Sequence, residues 1–117
     1  MTTRNFADEF TDDPGGRYYD DGEFSGQEFR ERHLVDWVAE ALRLGTKLYI
    51  DFDGVTGLPT SFLEEAFGGL VRKHPEWTYE ELARTIILRA PNSPELWPYL
   101  RYADEAMRKA AAKRDKR

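Results

Sequence analysis

The chain has 117 residues, 40% of them apolar and 14% aromatic, and 22 acidic against 17 basic side chains give it a net charge of −5. A chain of that length holds one packed core, and its apolar and aromatic content is too high for disorder throughout. With no cysteine and two widely spaced histidines, disulfides, thiol catalysis and thiolate metal sites are excluded, and neither a metal nor a cofactor is expected.

Charge divides the chain. Residues 1–60 carry 13 acidic and six basic side chains, residues 61–117 nine and 11. Asp8, Glu9, Asp12, Asp13, Asp20, Asp21 and Glu23 concentrate the acid early, and six basic residues fall between Arg108 and Arg117. One folded domain is expected over residues 1–103, followed by a basic helix end or tail over 104–117. Such a chain lacks the basic face that phosphate backbones need, so direct nucleic-acid binding is not expected. There is no run of 18 uncharged apolar residues and no basic-then-apolar leader, which predicts a cytoplasmic protein without membrane contact.

In chain order, the partly alternating segment from Arg4 to Phe10 predicts a first strand, and Pro14-Gly15-Gly16 breaks regular structure after it. Ser25 has Glu28 three residues on and lies between Phe24 and Phe29, so a capping box and hydrophobic staple start a helix at Gly26. Leu34, Trp37, Val38, Ala41 and Leu42 share its apolar face, and Gly45 stops it. Leu48, Ile50 and Phe52 then alternate in a central strand. Ser61 with Glu64 predicts the next helix start, with Leu63, Ala66, Phe67, Leu70 and Val71 buried and an end before His74-Pro75. Thr78 and Glu81 repeat the box for a short helix, and Thr85 to Leu88 reads as a third strand. Asn92-Ser93-Pro94 opens a last helix whose Trp97, Leu100, Ala103, Met107 and Ala110 share a face and whose N-cap is either Ser93 or Trp97, with Pro98 complicating the first turn.

That order predicts an α/β fold in which a small mixed sheet of about three to five strands is flanked by helices in a single domain. Parallel pairing through right-handed crossovers is the simplest way to connect strands that alternate with helices. The 11–24 loop is the longest stretch without an element of its own.

Asp51-Phe52-Asp53-Gly54, after an apolar strand, resembles the first motif of haloacid-dehalogenase-like phosphatases, in which one aspartate attacks phosphorus and a second works as acid and base beside magnesium. The other groups such a site needs are not spaced for it, since Glu64-Glu65, Glu80-Glu81 and Asp104-Glu105 all fall on predicted helices. Aspartates after a strand also bond nearby backbone donors in the turn, and that reading is preferred. No enzymatic activity is therefore expected. His33 and His74 read as surface or capping residues, and Ser25, Ser61 and Ser93 as caps outside any Gly-x-Ser-x-Gly setting.

Gly16-Arg17-Tyr18, Asp21 to Arg30, Tyr49 to Gly54 and, most specifically, Ser61 to Arg72 (Ser-Phe-Leu-Glu-Glu-Ala-Phe-Gly-Gly-Leu-Val-Arg) together resemble the prokaryotic STAS-like domain family of unknown function. The resemblance runs over about residues 4–103. That family is similar in turn to STAS domains such as the anti-sigma-factor antagonists, where a serine at the start of the second helix is phosphorylated by a histidine-kinase-like ATPase. It implies a STAS-like sheet flanked by helices and a regulatory module that binds a protein partner, with Thr60 and Ser61 as phosphoacceptor candidates. Pro59, Phe62, Glu64 and Glu65 beside them, with Arg17 and Tyr18 of the long loop, become the partner-binding candidates.

A helix N-terminus suits a phosphate, because free backbone donors and the dipole both favour an anion there. The sequence departs from the antagonists at Pro59, where they carry an aspartate, and at Phe62 and Glu64, where they carry small glycines. Glu64 and Glu65 also set two negative charges next to the acceptor, and Ser61 is equally a plain helix cap. A separate reading follows from charge alone. A small acidic inhibitor of the anti-CRISPR kind would present Asp12, Asp13, Asp20 and Asp21 to a basic groove in a nucleic-acid-processing complex.

Overall fold

The computed structural model of the chain describes residues 2–116. Its strands β1 (Thr2–Asn5), β2 (Leu48–Asp51) and β3 (Ile86–Arg89) form one sheet in the order β1-β2-β3, with both pairings parallel. The sheet is parallel throughout rather than mixed because helices, not hairpins, separate its strands. Leu48 and Ile50 of the central strand are fully buried, while Tyr49 and Asp51 on the opposite face are only half-buried.

The first strand is earlier and shorter than the pattern from Arg4 to Phe10 suggests. Asn5 Oδ1 accepts from the Asp8 N–H at 2.9 Å, and Glu9 Oε2 accepts from the Asn5 N–H at 2.9 Å. That reciprocal cap folds Phe6–Glu9 into one helical turn, α1, and buries Phe6 against Phe29, Phe52 and Phe62. Local capping therefore overrides a weak alternation.

Helix α2 covers residues 26–44. Ser25 caps it as its sequence predicts, accepting from the Glu28 N–H at 3.1 Å, but the Glu28 carboxylate bonds the Phe24 N–H instead of closing the box on Ser25. Phe24 and Phe29 both pack on Phe10, at 5.4 and 5.3 Å between ring centroids, so a third ring completes the staple. Gly45 ends the helix at φ 68°, a left-handed position that costs glycine little, and the Thr46 N–H closes back on the Ala41 carbonyl at 3.0 Å.

Helix α3 covers residues 60–73, α4 is Tyr79–Thr85 and α5 is Trp97–Arg114. Thr78 and Glu81 form the reciprocal box ahead of α4. A 3-10 turn, Pro94–Leu96, precedes α5, so Ser93 stands at the N-cap position of that turn and Leu96, without a side-chain bond, at that of α5; Pro98 falls in the first turn, where its missing N–H has no helical partner to lose.

The basic C-terminal segment is a helix end rather than a tail. Helix α5 runs unbroken to Arg114, burying Ala106, Met107, Ala110 and Ala111, and Arg114 Nη1 donates to the carbonyls of Val71, His74 and Trp77 at 3.0, 3.3 and 3.0 Å. One arginine thus satisfies acceptors at and beyond the end of α3, which extends the folded domain past residue 103.

Candidate interaction site

Helices α2 and α3 each contain a π-helical segment, Arg30–Leu34 and Glu64–Gly68, and the two segments meet. Arg30 Nη1 donates to Glu65 Oε2 at 2.6 Å, with both side chains buried. Gly69 makes room for this pair: a Cβ there would lie 2.2 Å from Arg30 Nη1. Gly26 lets the helices close up in the same way, since a Cβ on it would lie 2.4 Å from the Phe62 carbonyl oxygen.

The π segment also decides which side chains of α3 meet. Residues eight apart lie well off one face of an α-helix, but the extra residue of a π turn realigns them. Arg72 accordingly donates to Glu64, at 2.5 Å from Nη1 and 3.1 Å from Nη2. Arg17 reaches in from the 11–24 loop to Glu64 at 2.6 Å and Glu65 at 3.4 Å. The hydrogen bond from Arg72 holds the Glu64 carboxyl below the usual glutamate range, outweighing partial burial, and Arg17 adds to it.

Glu64 and Glu65 are thus paired with three arginines, Arg17, Arg30 and Arg72. Arg17 pins the long loop to α3. Ser61 is not the cap: Pro59 precedes the first helical residue, Thr60, with no side-chain capping bond. Of the partner-binding candidates, Phe62 and Glu65 are buried, Arg17 and Glu64 are engaged with each other, and Pro59 and Tyr18 are exposed.

Thr60 and Pro59 open on a cleft of about 730 Å³ beyond the carboxyl end of β2, shared with Asp13, Thr56, Glu95 and Tyr99. Open α/β sheets commonly bind their ligands beyond the carboxyl ends of the strands. Thr60 is exposed, whereas Ser61 is half-buried. The loop from β2 is tied at Thr56 to the 11–24 loop: the Thr56 N–H donates to the Asp12 carbonyl at 2.8 Å and Thr56 Oγ1 to Asp13 Oδ1 at 3.0 Å. Among the described residues no lysine or arginine lines this cleft, so Asp13 and Glu95 are its charges.

Both carboxylates of the Asp-x-Asp-Gly motif have structural partners. Asp51 Oδ1 accepts from the Asp53 N–H at 2.8 Å, and its other oxygen lies 3.4 Å from Arg89 Nε. Asp53 accepts from the Asn92 N–H and from Asn92 Nδ2, each at 3.0 Å, clasping the β3–α5 connection to the end of β2. In the acidic loop, Asp12 and Asp20 are exposed, Asp13 bonds Thr56, and Asp21 accepts from the Tyr18 N–H at 2.8 Å. Among the described residues no cluster of three potential metal ligands forms, and no helix is long and apolar enough to cross a membrane.

The fold is a helix-covered parallel α/β sheet with a cleft where its central strand feeds a helix. Residues 25–95 match the model of the STAS-like domain of unknown function (DUF4325), and the chain belongs to that family. The match holds Ser61 to Arg72, with the paired glutamates and the two glycines of the close contact, and leaves Arg17 outside. No curated protein and no solved structure matches the chain.

The sequence reading missed Arg30, Arg72 and Arg114 as organising residues. Two adjacent glycines, Gly68 and Gly69, inside a strongly helical run were the available signal, because glycine in a helix interior costs about 1 kcal/mol and implies a close neighbour.

Proposed function

We propose that this chain is a non-enzymatic regulatory module that binds a protein partner through the 52–60 loop and the start of α3, switched by phosphorylation of Thr60. The observation that carries this reading is the exposed Thr60 hydroxyl at the first position of α3, in an open cleft beyond the central strand. Ser61, half-buried beside it, is the less accessible of the two acceptors. The aspartates that would serve a phosphatase are occupied in the turn and the Asn92 clasp, which supports binding over catalysis.

A phosphate on Thr60 adds about −1.5 to −2 charges. The dipole of α3 favours it, and Asp13 and Glu95 across the cleft oppose it, with no cation to neutralise it. Its action is therefore repulsive, loosening the contact of Asp13 with Thr56 and turning away an acidic partner surface. A histidine-kinase-like ATPase is the partner class proposed, from the likeness to the anti-sigma-factor antagonists. Mass spectrometry of the protein recovered from its native host reads the modification directly: phosphate on Thr60 is expected, and a Thr60 that stays unmodified whenever the partner is bound or released ends the switch.

A further inference from the structure

Helices α3 and α5 pack side by side from the Thr60 cleft to the Arg114 cap, and two separate cavities open in turn along the groove between them. Tyr99 and Tyr102 line it on α5, both exposed, followed by the buried alanines Ala106 and Ala110 and the exposed Lys109 and Lys113. Their spacing of three and four residues keeps them on one side of the helix. Across from them, α3 contributes Thr60, Glu64 and Arg72, which the π segment brings into line. The 13 residues from Thr60 to Arg72 make the groove about 20 Å long at 1.5 Å per residue.

The carboxyl half of the groove holds a cavity of about 470 Å³. Ala106 and Ala110 line it together with Tyr102 and four cationic residues, Arg72, Lys109, Lys113 and Arg114. Two acids share the lining, and both are engaged: Glu64 with Arg17 and Arg72, Glu105 with Arg108. The Lys109 ammonium lies 4.0 Å from Glu105, at the limit of pairing, and Lys113 carries a further positive charge. The amino half has the opposite sign, through Asp13 and Glu95. Over one groove the charge passes from negative at Thr60 to positive at Lys113.

We infer that this groove docks an amphipathic helix of a partner protein, its apolar stripe on Tyr99, Tyr102, Ala106 and Ala110 and its acidic end over Arg72, Lys109 and Lys113. Small side chains in the lining let a helix approach closely, and the charge gradient fixes its direction. The inference rests on the interaction-module reading and names the partner's chemistry. Its test reads Lys109 and Lys113, far along α5 from Thr60, so the groove and the phosphoswitch can fail separately.

The probe is a synthetic amphipathic peptide of about 14 residues, long enough to span the groove. It carries leucines at every third and fourth position and glutamates gathered at one end, and its counterpart carries lysines there instead. Titrated into the full-length, isotope-labelled protein, the glutamate peptide is expected to shift the amide signals of Arg72, Tyr102, Lys109, Ala110 and Lys113 and to bind at least tenfold more tightly than the lysine peptide. The double variant K109E/K113E, with circular dichroism unchanged because both lysines are exposed, is expected to reverse that preference. Equal binding of the two peptides, shifts elsewhere on the surface, or a preference that survives charge reversal would overturn the proposal. The same signals moving with protein concentration alone would give the groove to a second copy of this chain and overturn it too.

Discussion

Arg30 Nη1 donates at once to Glu65 Oε2 at 2.6 Å and to the Glu65 backbone carbonyl at 2.7 Å, with both residues buried. A single guanidinium thus fixes side chain and main chain of the facing π segment. Removing one partner of a buried pair costs about 3–5 kcal/mol when the charge left behind has no other partner, and about 3 kcal/mol here, where Arg17 stays 3.4 Å from Glu65. Arg30→Met is expected to lose that much in urea unfolding at neutral pH. A loss below about 1 kcal/mol, the scale of an exposed pair, would mean the ion pair is not holding the helices together.

The glycines give a test with an inverted sign. Glycine to alanine at an ordinary interior helix position stabilises by about 1 kcal/mol. Gly69→Ala is expected to destabilise instead, because its Cβ would lie 2.2 Å from Arg30 Nη1 and 3.1 Å from Arg30 Cζ, and Arg30 cannot move without breaking its bonds to Glu65. Gly26→Ala meets a backbone carbonyl at 2.4 Å and should lose about 1–3 kcal/mol through overpacking. Thermal melts of both variants are expected to fall below wild type, and a rise in either would contradict the close contact at that glycine.

Glu64 couples this region to pH. Its folded pKa is lowered, first by the hydrogen bond from Arg72 and then by Arg17. A carboxylate whose folded pKa lies below its unfolded value adds stability above the unfolded value, near 4.3, and loses it as pH falls through the folded one. The stability gap between wild type and Glu64→Gln should therefore be full near neutral pH and close below about pH 4. Unfolding curves across that range measure it, and a gap independent of pH would contradict the pairing.

Arg114 should behave as a structural residue despite its place near the end of the chain. Arg114→Ala removes donors from three carbonyls and is expected to cost about 1.5–3 kcal/mol, as lost hydrogen bonds to a charged group do. Ending the chain at residue 103 should abolish cooperative unfolding, because Ala106, Met107, Ala110 and Ala111 leave the core with it.

Most elements were legible where a local device marks them. Ser25, Thr78 and Gly45 announce helix ends through bonds between neighbours, and Leu48 and Ile50 announce a buried strand through alternation. The misreadings share another origin. Asn5 and Glu9 form a cap that a weak strand pattern hid, and Ser61 with Glu64 looks like a box although Glu64 is drawn away by Arg17 and Arg72. The anchoring of α5, though not its apolar face, depends on Arg114 finding carbonyls some 40 residues earlier. Such partners lie far apart in the chain, and neither periodicity nor spacing records them. At the candidate site, Thr60 is singled out through the likeness to the anti-sigma-factor antagonists alone. The burial of Phe62 and Glu65 and the acidic lining of the cleft follow only from packing.

Partner capture with Thr60 variants tests the central claim most directly. Tagged wild-type protein, Thr60→Ala and Thr60→Glu are recovered from the native host under the same conditions, with a Ser61→Ala variant as control. Wild type, Thr60→Ala and Ser61→Ala are expected to hold the same dominant protein partner, and Thr60→Glu to lose it at least tenfold. Equal recovery of the same proteins by wild type and Thr60→Glu would contradict a switch at the start of α3.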